Sequence, residues 1–416
     1  MKVLLLNNLY APYFFGGAER SVQFLAEALV NAGHNVIVIS AKPGRHTDIA
    51  ELGGAKVHFV GLKNLYWPFS NRRNPAMFKP FWHAVDTHNP LMAYEFSRIL
   101  DCERPDIVHT NNVAGFSTAV WKHVKSRGLP LVHTLRDYYL MCPGSEMFRR
   151  GRNCDRRCMQ CKILSTQRRR ATRLVDTVVG ISKFILERHL EHGYFKLSRY
   201  SRVIYNAYEA ADPLPASAKQ QVGLLRLGYL GRLAPIKGIE LLLKTIAANR
   251  ALPISLTVAG TGRGEYEKLL QERYPLQNVD YLGYVRPETF FRSIDVLIVP
   301  SLWQEPMGRV VVESFSHGVP VVGSRRGGIP ELIDEHSTGY LFEPSQPHDL
   351  TSVLLTCIEN RRALEEMRPR CLLKAAQFLP TAIISQYLQT YDQLIRSSTI
   401  THSEGNNLHS PHGHDI

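Results

Sequence analysis

Residues 295–333 read DVLIVPSLWQEPMGRVVVESFSHGVPVVGSRRGGIPELI, and the order of the parts decides the fold. A strand-like apolar run ends at Pro300, a loop follows, and a helix-period pattern runs from Gly308 toward His317. A helix opening near Gly308 leaves the amides of Met307, Gly308, Arg309 and Val310 without intrahelical partners. The helix dipole adds partial positive charge at the same end, so a diphosphate fits there. Glu305 lies just outside, where its carboxylate repels phosphate unless it meets a neutral, donor-rich group such as sugar hydroxyls. Glu313, nearly two turns into the helix, is placed to accept from ribose hydroxyls. Taken alone, two glutamates at this spacing also describe a surface helix with solvated carboxylates.

The same alternation extends in both directions. Upstream, KVLLLN, NVIVIS, KVHFVG, DIVH (106–109), LPLVHT (129–134), DTVVG (176–180) and RVIYN (202–206) read as strands separated by helical segments. One of those helices, GGAERSVQFLAEALVNAG, places Val22, Leu25, Leu29 and Val30 on one face. Downstream, LLRLGYLG, ISLTVAG, VDYLGYV, DVLIVP, VPVVGS and TGYLFE form a second series. Such series imply βαβ units and parallel sheets. Two doubly wound α/β domains are expected, residues 1–208 and 222–380, joined by the Ala/Pro-rich linker 209–221. A helix over 381–396 is expected to cross back onto the first domain. The polar, His-containing stretch 397–416 reads as a disordered tail.

With 416 residues the chain exceeds the size at which single cores stop growing, which agrees with two domains of about 200 residues each. No apolar run approaches the ~18 residues that span a bilayer, and MKVLLLNN is too short for a signal peptide, so a cytosolic protein is expected. Seven cysteines are an odd number, which argues for reduced thiols over a disulfide framework. The net charge of +13 is uneven: residues 149–173 hold nine Arg and one Lys against one Asp. That cluster implies one basic surface facing lipid-linked phosphates, an anionic membrane or nucleic acid, or else a solvated charged face. Nucleic acid is the weakest of these, because it leaves the motifs of both domains unexplained. No G-x-G-x-x-G follows a strand at the start of either half, which disfavours a dinucleotide dehydrogenase.

The segment 295–333 resembles the donor-binding signature of family 4 glycosyltransferases, retaining enzymes of the GT-B fold, in which two Rossmann-like domains face each other across a cleft. The match rests on Glu305, Glu313, GVPVV (318–322) and GGIPELI (327–333). The resemblance implies that Glu305 contacts the donor sugar and Glu313 the ribose. It also implies that Arg232 and Lys237, in GYLGRLAPIKG (228–238), hold the diphosphate. There a forked guanidinium and a compact ammonium stabilise the leaving-group charge without a metal. No Asp-x-Asp is present to hold a divalent ion for transfer. GGAER matches the family's N-terminal loop, in which Gly16 and Gly17 let backbone amides approach a phosphate or the acceptor. HTNN stands where relatives often carry His-x-His, making His109 the candidate near the sugar and Asn111 its rival. Arg136 and Asp137 fall at the mouth of the cleft.

Cys142, Cys154, Cys158 and Cys161 form C-x11-C-x3-C-x2-C inside the Cys/Arg-rich insertion 141–173. Some members of the family carry a similar insertion. A structural zinc ion held by four thiolates and a set of unrelated free thiols are both open. The resemblance as a whole implies transfer from a UDP- or GDP-sugar to a glycan or lipid-linked acceptor in cell-surface polysaccharide synthesis, by an enzyme peripheral to the inner face of the plasma membrane. A nucleotide-sugar epimerase of the same fold is the alternative.

Overall fold

The computed structural model describes residues 1–13, 16–69, 76–208, 223–262 and 265–406, the last nine as backbone only. The linker expected at 209–221 lies outside the described residues.

Two parallel sheets carry the chain. The first contains β1 (Lys2–Leu6), β2 (Asn35–Lys42), β3 (Asp48–Leu52), β4 (Ala55–Gly61), β5 (Ile107–Thr110) and β6 (Leu131–Leu135). After a small ribbon of β7 (Phe148–Arg149) and β8 (Arg152–Asn153), β9 (Thr177–Gly180) and β10 (Tyr200–Val203) complete it. Its order is β10-β9-β6-β5-β1-β2-β4-β3, parallel except for β3 on the edge. The second contains β11 (Leu225–Leu230), β12 (Ile254–Ala259), β13 (Val279–Gly283), β14 (Val296–Val299), β15 (Val321–Ser324) and β16 (Gly339–Phe342). These run β13-β12-β11-β14-β15-β16, all parallel. The fold is therefore the expected pair of doubly wound domains. β3 and the β7–β8 ribbon were not legible, because both are short and polar.

Strand order reverses beside β11, between β12 and β14, and ligands of open α/β sheets bind beyond the carboxyl ends of strands at such a switch point. The loops leaving β11 and β14 carry Arg232, Lys237 and Glu305. Two glycines hold them in place. Gly238 has φ +73°, and a Cβ there would lie 1.8 Å from the Pro300 carbonyl oxygen. Gly327, at φ +59°, lies so close under the second loop that a Cβ would fall 2.0 Å from the Glu305 carbonyl oxygen. Only a residue without a side chain permits either approach.

In the first domain, the helix Gly17–Asn31 buries Val22, Leu25, Ala26 and Leu29, while Val30 is half-buried. The C-terminal helix spans Pro380–Asn406, so residues 397–406, expected in a disordered tail, continue the helix. Ile383, Tyr387, Tyr391 and Leu394 are buried in the core of the first domain together with Val3, Leu5 and Val22. Their helical spacing gives one apolar stripe that closes that core.

Candidate active site

Between the domains lies a cavity of about 560 Å³, within the range of about 300–1,000 Å³ that suits small ligands. From the second domain, Arg232, Lys237, Glu305 and Met307 to Val310 line it; from the first, Gly16, Gly17, Arg136, Asp137 and Asn206. The helix Arg309–Ser316 opens on Gly308, so its first amides point to this space.

Glu305 is buried, and its Oε1 accepts from Lys237 Nζ at 2.5 Å and from Ser301 Oγ at 3.1 Å. Lys237 also sits 5.3 Å over the Trp303 ring. The carboxylate outside the helix is thus compensated by the neighbouring ammonium, which removes its repulsion toward an anion at the helix end. Arg232 is the more exposed cation, 3.8 Å from the Glu146 carboxylate. Across the cleft, Arg136 donates from Nε to Asn111 Oδ1 at 2.9 Å and from a terminal nitrogen to Asn206 Oδ1. Burial lowers the Arg136 pKa. Asp137 accepts from the Tyr139 amide at 2.7 Å and from Asn112 Nδ2 at 2.8 Å. Burial nonetheless pushes its carboxyl up to about 6.

Two family models divide the chain between them: residues 15–211 match Glycosyltransferase Family 4, and residues 216–372 match Glycosyl transferases group 1. A 42.6 kDa protein of the cps region of Klebsiella pneumoniae is 36% identical over 353 residues, covering 84% of this chain and 92% of that protein. The chain belongs to glycosyltransferase family 4. Among solved structures, the sucrose-phosphate synthase of Thermosynechococcus elongatus superposes with a TM-score of 0.71 at 20% identity, covering 95% of this chain and 99% of that one. Anabaena HepE, in complex with UDP and glucose, superposes with a TM-score of 0.68 at 21% identity over 95% and 100% of the two chains. These likenesses carry the GT-B fold.

In this transferase several expected residues take other places. His109 is fully buried away from the cavity: Nδ1 pairs with Tyr391 Oη at 2.6 Å and Nε2 with Thr134 Oγ1 at 2.7 Å. Burial holds its imidazole well below the usual range, so it is neutral. The expectation that His109 meets the sugar is corrected, because the C-terminal helix covers its strand. Asn111, the rival, is buried outside the cavity lining and accepts from Arg136 Nε. Gly16 lines the cavity, but its amide donates to Glu19 Oε2 at 2.9 Å. Glu313 lies outside the cavity lining, its Oε1 3.2 Å from Arg309 Nε. Arg309 reaches on to the Gly17 carbonyl oxygen at 3.4 Å, bridging the domains.

The four insertion cysteines are neighbours. A hydrogen bond with Cys161, together with the amides of Met147, Gly144 and Glu146, brings Cys142 down to about 6 against the effect of burial. The Cys161 amide lowers Cys158. Among the described residues, however, no group of three or more His, Cys, Asp or Glu is arranged to hold a metal ion. No metal site is therefore assigned to them; Cys142, Cys158 and Cys161 hydrogen-bond with one another and with backbone amides. Nor do all the arginines of the insertion form one outward face. Arg168 is wholly buried, 2.9 Å from Asp86 Oδ2 and stacked 3.9 Å over the Tyr139 ring. Sequence reading missed Asn206, Trp303 and Glu146 at the site. The last two meet across the cleft, Trp303 Nε1 donating to the Glu146 carbonyl oxygen.

Proposed function

We propose that this transferase retains anomeric configuration while moving a sugar from a UDP- or GDP-sugar to a glycan or lipid-linked acceptor in cell-surface polysaccharide assembly. One observation carries the donor half: the Lys237–Glu305 pair, Arg232 and the opening amides of the helix Arg309–Ser316 share one cavity. The HepE complexes with UDP and with UDP-glucose support a uridine donor. The cps-region relative supports a capsule-type product.

In this reading the helix amides and Arg232 bind the diphosphate, and Lys237 stabilises the charge that gathers on it as the glycosidic bond breaks. Glu305 orients the sugar and tolerates its growing positive charge without attacking it. The acceptor hydroxyl attacks the same face that the diphosphate leaves, and a phosphate oxygen of the leaving group takes its proton. Glu313, which pairs with Arg309 just beyond the cavity lining, is the carboxylate offered to the ribose. The acceptor enters past Arg136 and Asp137. Among the described residues no helix is long and apolar enough to cross a membrane. A lipid-linked acceptor is met at the inner face of the plasma membrane by peripheral contact through the exposed arginines of the insertion.

Turnover of a panel of UDP- and GDP-sugars with and without lipid-linked acceptors tests the reading. Sugar transfer that requires acceptor is expected; an altered nucleotide sugar formed without acceptor would mean an epimerase. Glu305→Ala and Lys237→Ala should each lower kcat by about 100- to 1,000-fold while the protein stays folded. Near-normal turnover in either variant removes that residue from the site.

A further inference from the structure

We propose that Asn153 is a positioning residue for Glu305, and that the Cys/Arg-rich insertion serves as a brace carrying it across the cleft. The proposal rests on the reading of Glu305 as the sugar-facing group.

The loop bearing Glu305 is tied to its own domain at both ends. Leu302 and Trp303 donate their amides to the Ile236 carbonyl oxygen at 3.1 and 3.2 Å, and the Glu305 carbonyl accepts from the Gly328 amide at 2.8 Å. Between these anchors the Trp303 carbonyl oxygen accepts from Ser301 Oγ at 3.2 Å, while three further backbone groups are satisfied from the opposite domain. Asn153 Nδ2 donates to the Leu302 carbonyl oxygen at 2.7 Å, and Asn153 Oδ1 accepts from the Gln304 amide at 3.0 Å. Tyr138 Oη donates to the Gln304 carbonyl oxygen at 2.7 Å. One amide side chain thus meets a carbonyl and an N–H two residues apart. A carboxamide offers donor and acceptor in one plane, which neither a carboxylate nor an aliphatic chain does.

Asn153 is itself held on a rigid frame. It ends β8, where it pairs with Phe148 of β7, and the next amide, Cys154, donates to the Met147 carbonyl oxygen at 2.7 Å. The carbonyl oxygens of Cys154 and Asp155 accept from a terminal nitrogen of Arg188 at 2.9 and 2.7 Å. Arg188 belongs to the helix Lys183–Glu191, whose first amides are taken by Glu331 of the second domain. The insertion therefore meets the second domain directly, through Asn153 at Leu302 and at Gln304 next to Glu305 and through Glu146 at Trp303, and indirectly through Arg188 and the helix that Glu331 caps. Without the Asn153 amide, Leu302 and Gln304 would turn to water and the carboxylate would lose its fixed approach. Misplacement of a reacting group by about 1 Å costs on the order of 100-fold in rate.

The test compares wild type, Asn153→Ala and Asn153→Asp in the full-length enzyme, by hydrogen exchange at the Gln304 amide and by steady-state kinetics with the nucleotide sugar that wild type turns over. In Asn153→Ala, Gln304 should exchange faster and kcat fall about 100-fold, with a smaller change in donor KM and an unchanged melting temperature. Asn153→Asp keeps the acceptor for Gln304 but sets a carboxylate against the Leu302 carbonyl. Its activity relative to wild type should rise as pH falls and the protonated carboxyl regains a donor. Wild-type kcat in Asn153→Ala, or undiminished protection of Gln304, overturns the proposal. Should that variant not fold, a pH-independent activity ratio for Asn153→Asp overturns it. A wild-type enzyme that turns over no nucleotide sugar would sink the donor reading, while the exchange measurement still judges the brace by itself.

Discussion

Lys237 and Glu305 lie 68 positions apart yet meet at 2.5 Å, and this pair shows how little of a residue's role is written in its immediate neighbours. The family resemblance placed both at the cleft; it did not show them neutralising each other. His109 makes the same point in reverse, since its neighbours in sequence suggest a cleft residue and its partner Tyr391 lies 282 positions away. Asp137 gives a prediction at this scale. Burial raises its carboxyl from an ordinary 3.8 to about 6, so the folded state keeps a proton that the unfolded chain releases. This residue therefore costs stability progressively as pH rises through that window. The variant Asp137→Asn, which carries no titrating group there, should match wild type in melting temperature near pH 4 and exceed it at pH 7. Parallel pH profiles for the two proteins would contradict the shift.

Among the elements, the helix Arg309–Ser316 was the most legible, because a glycine at its start and an apolar period along it are local signals. The turns at Gly238 and Gly327 were visible as glycines, but the carbonyl oxygens they make room for were not. The insertion was the least legible. Its run of arginines suggested a single exposed surface, whereas its helix Met159–Ala171 sends Arg168 inward to Asp86, which also accepts from Tyr139 Oη at 2.7 Å. Removing one member of such a buried pair leaves the other charge uncompensated. Arg168→Met should lower stability by about 3–5 kcal/mol in denaturant unfolding. Adding Asp86→Asn should recover part of that loss; strictly additive losses would show that the two side chains do not depend on each other.

For the molecule as a whole, the contacts across the cleft define the arrangement in which the site is assembled. Glu331, from GGIPELI, accepts from the amides of Lys183 and Phe184 at 2.7 and 2.6 Å and from Tyr205 Oη at 3.2 Å. A carboxylate of one domain thereby caps a helix of the other. Caps of this kind contribute about 1 kcal/mol. Glu331→Ala should therefore favour separation of the domains, seen as a larger radius of gyration in small-angle scattering and a several-fold higher donor KM. An unchanged radius and KM would show that the other bridges suffice.

Residue order alone was enough to specify two parallel α/β layers, the strand-to-helix turns at their carboxyl ends and the helix that opens at Gly308, to which the family resemblance added Arg232 and Lys237. Those features depend on periodicity and turn chemistry within a few positions of each other. Chain folding alone settled that His109 is sealed beneath the last helix, that Glu305 enters the cleft already paired, and that the arginine-rich insertion reaches the loop of the opposite domain. Each of these depends on groups brought together from distant parts of the chain, where burial and hydrogen-bond satisfaction, rather than local pattern, set the outcome.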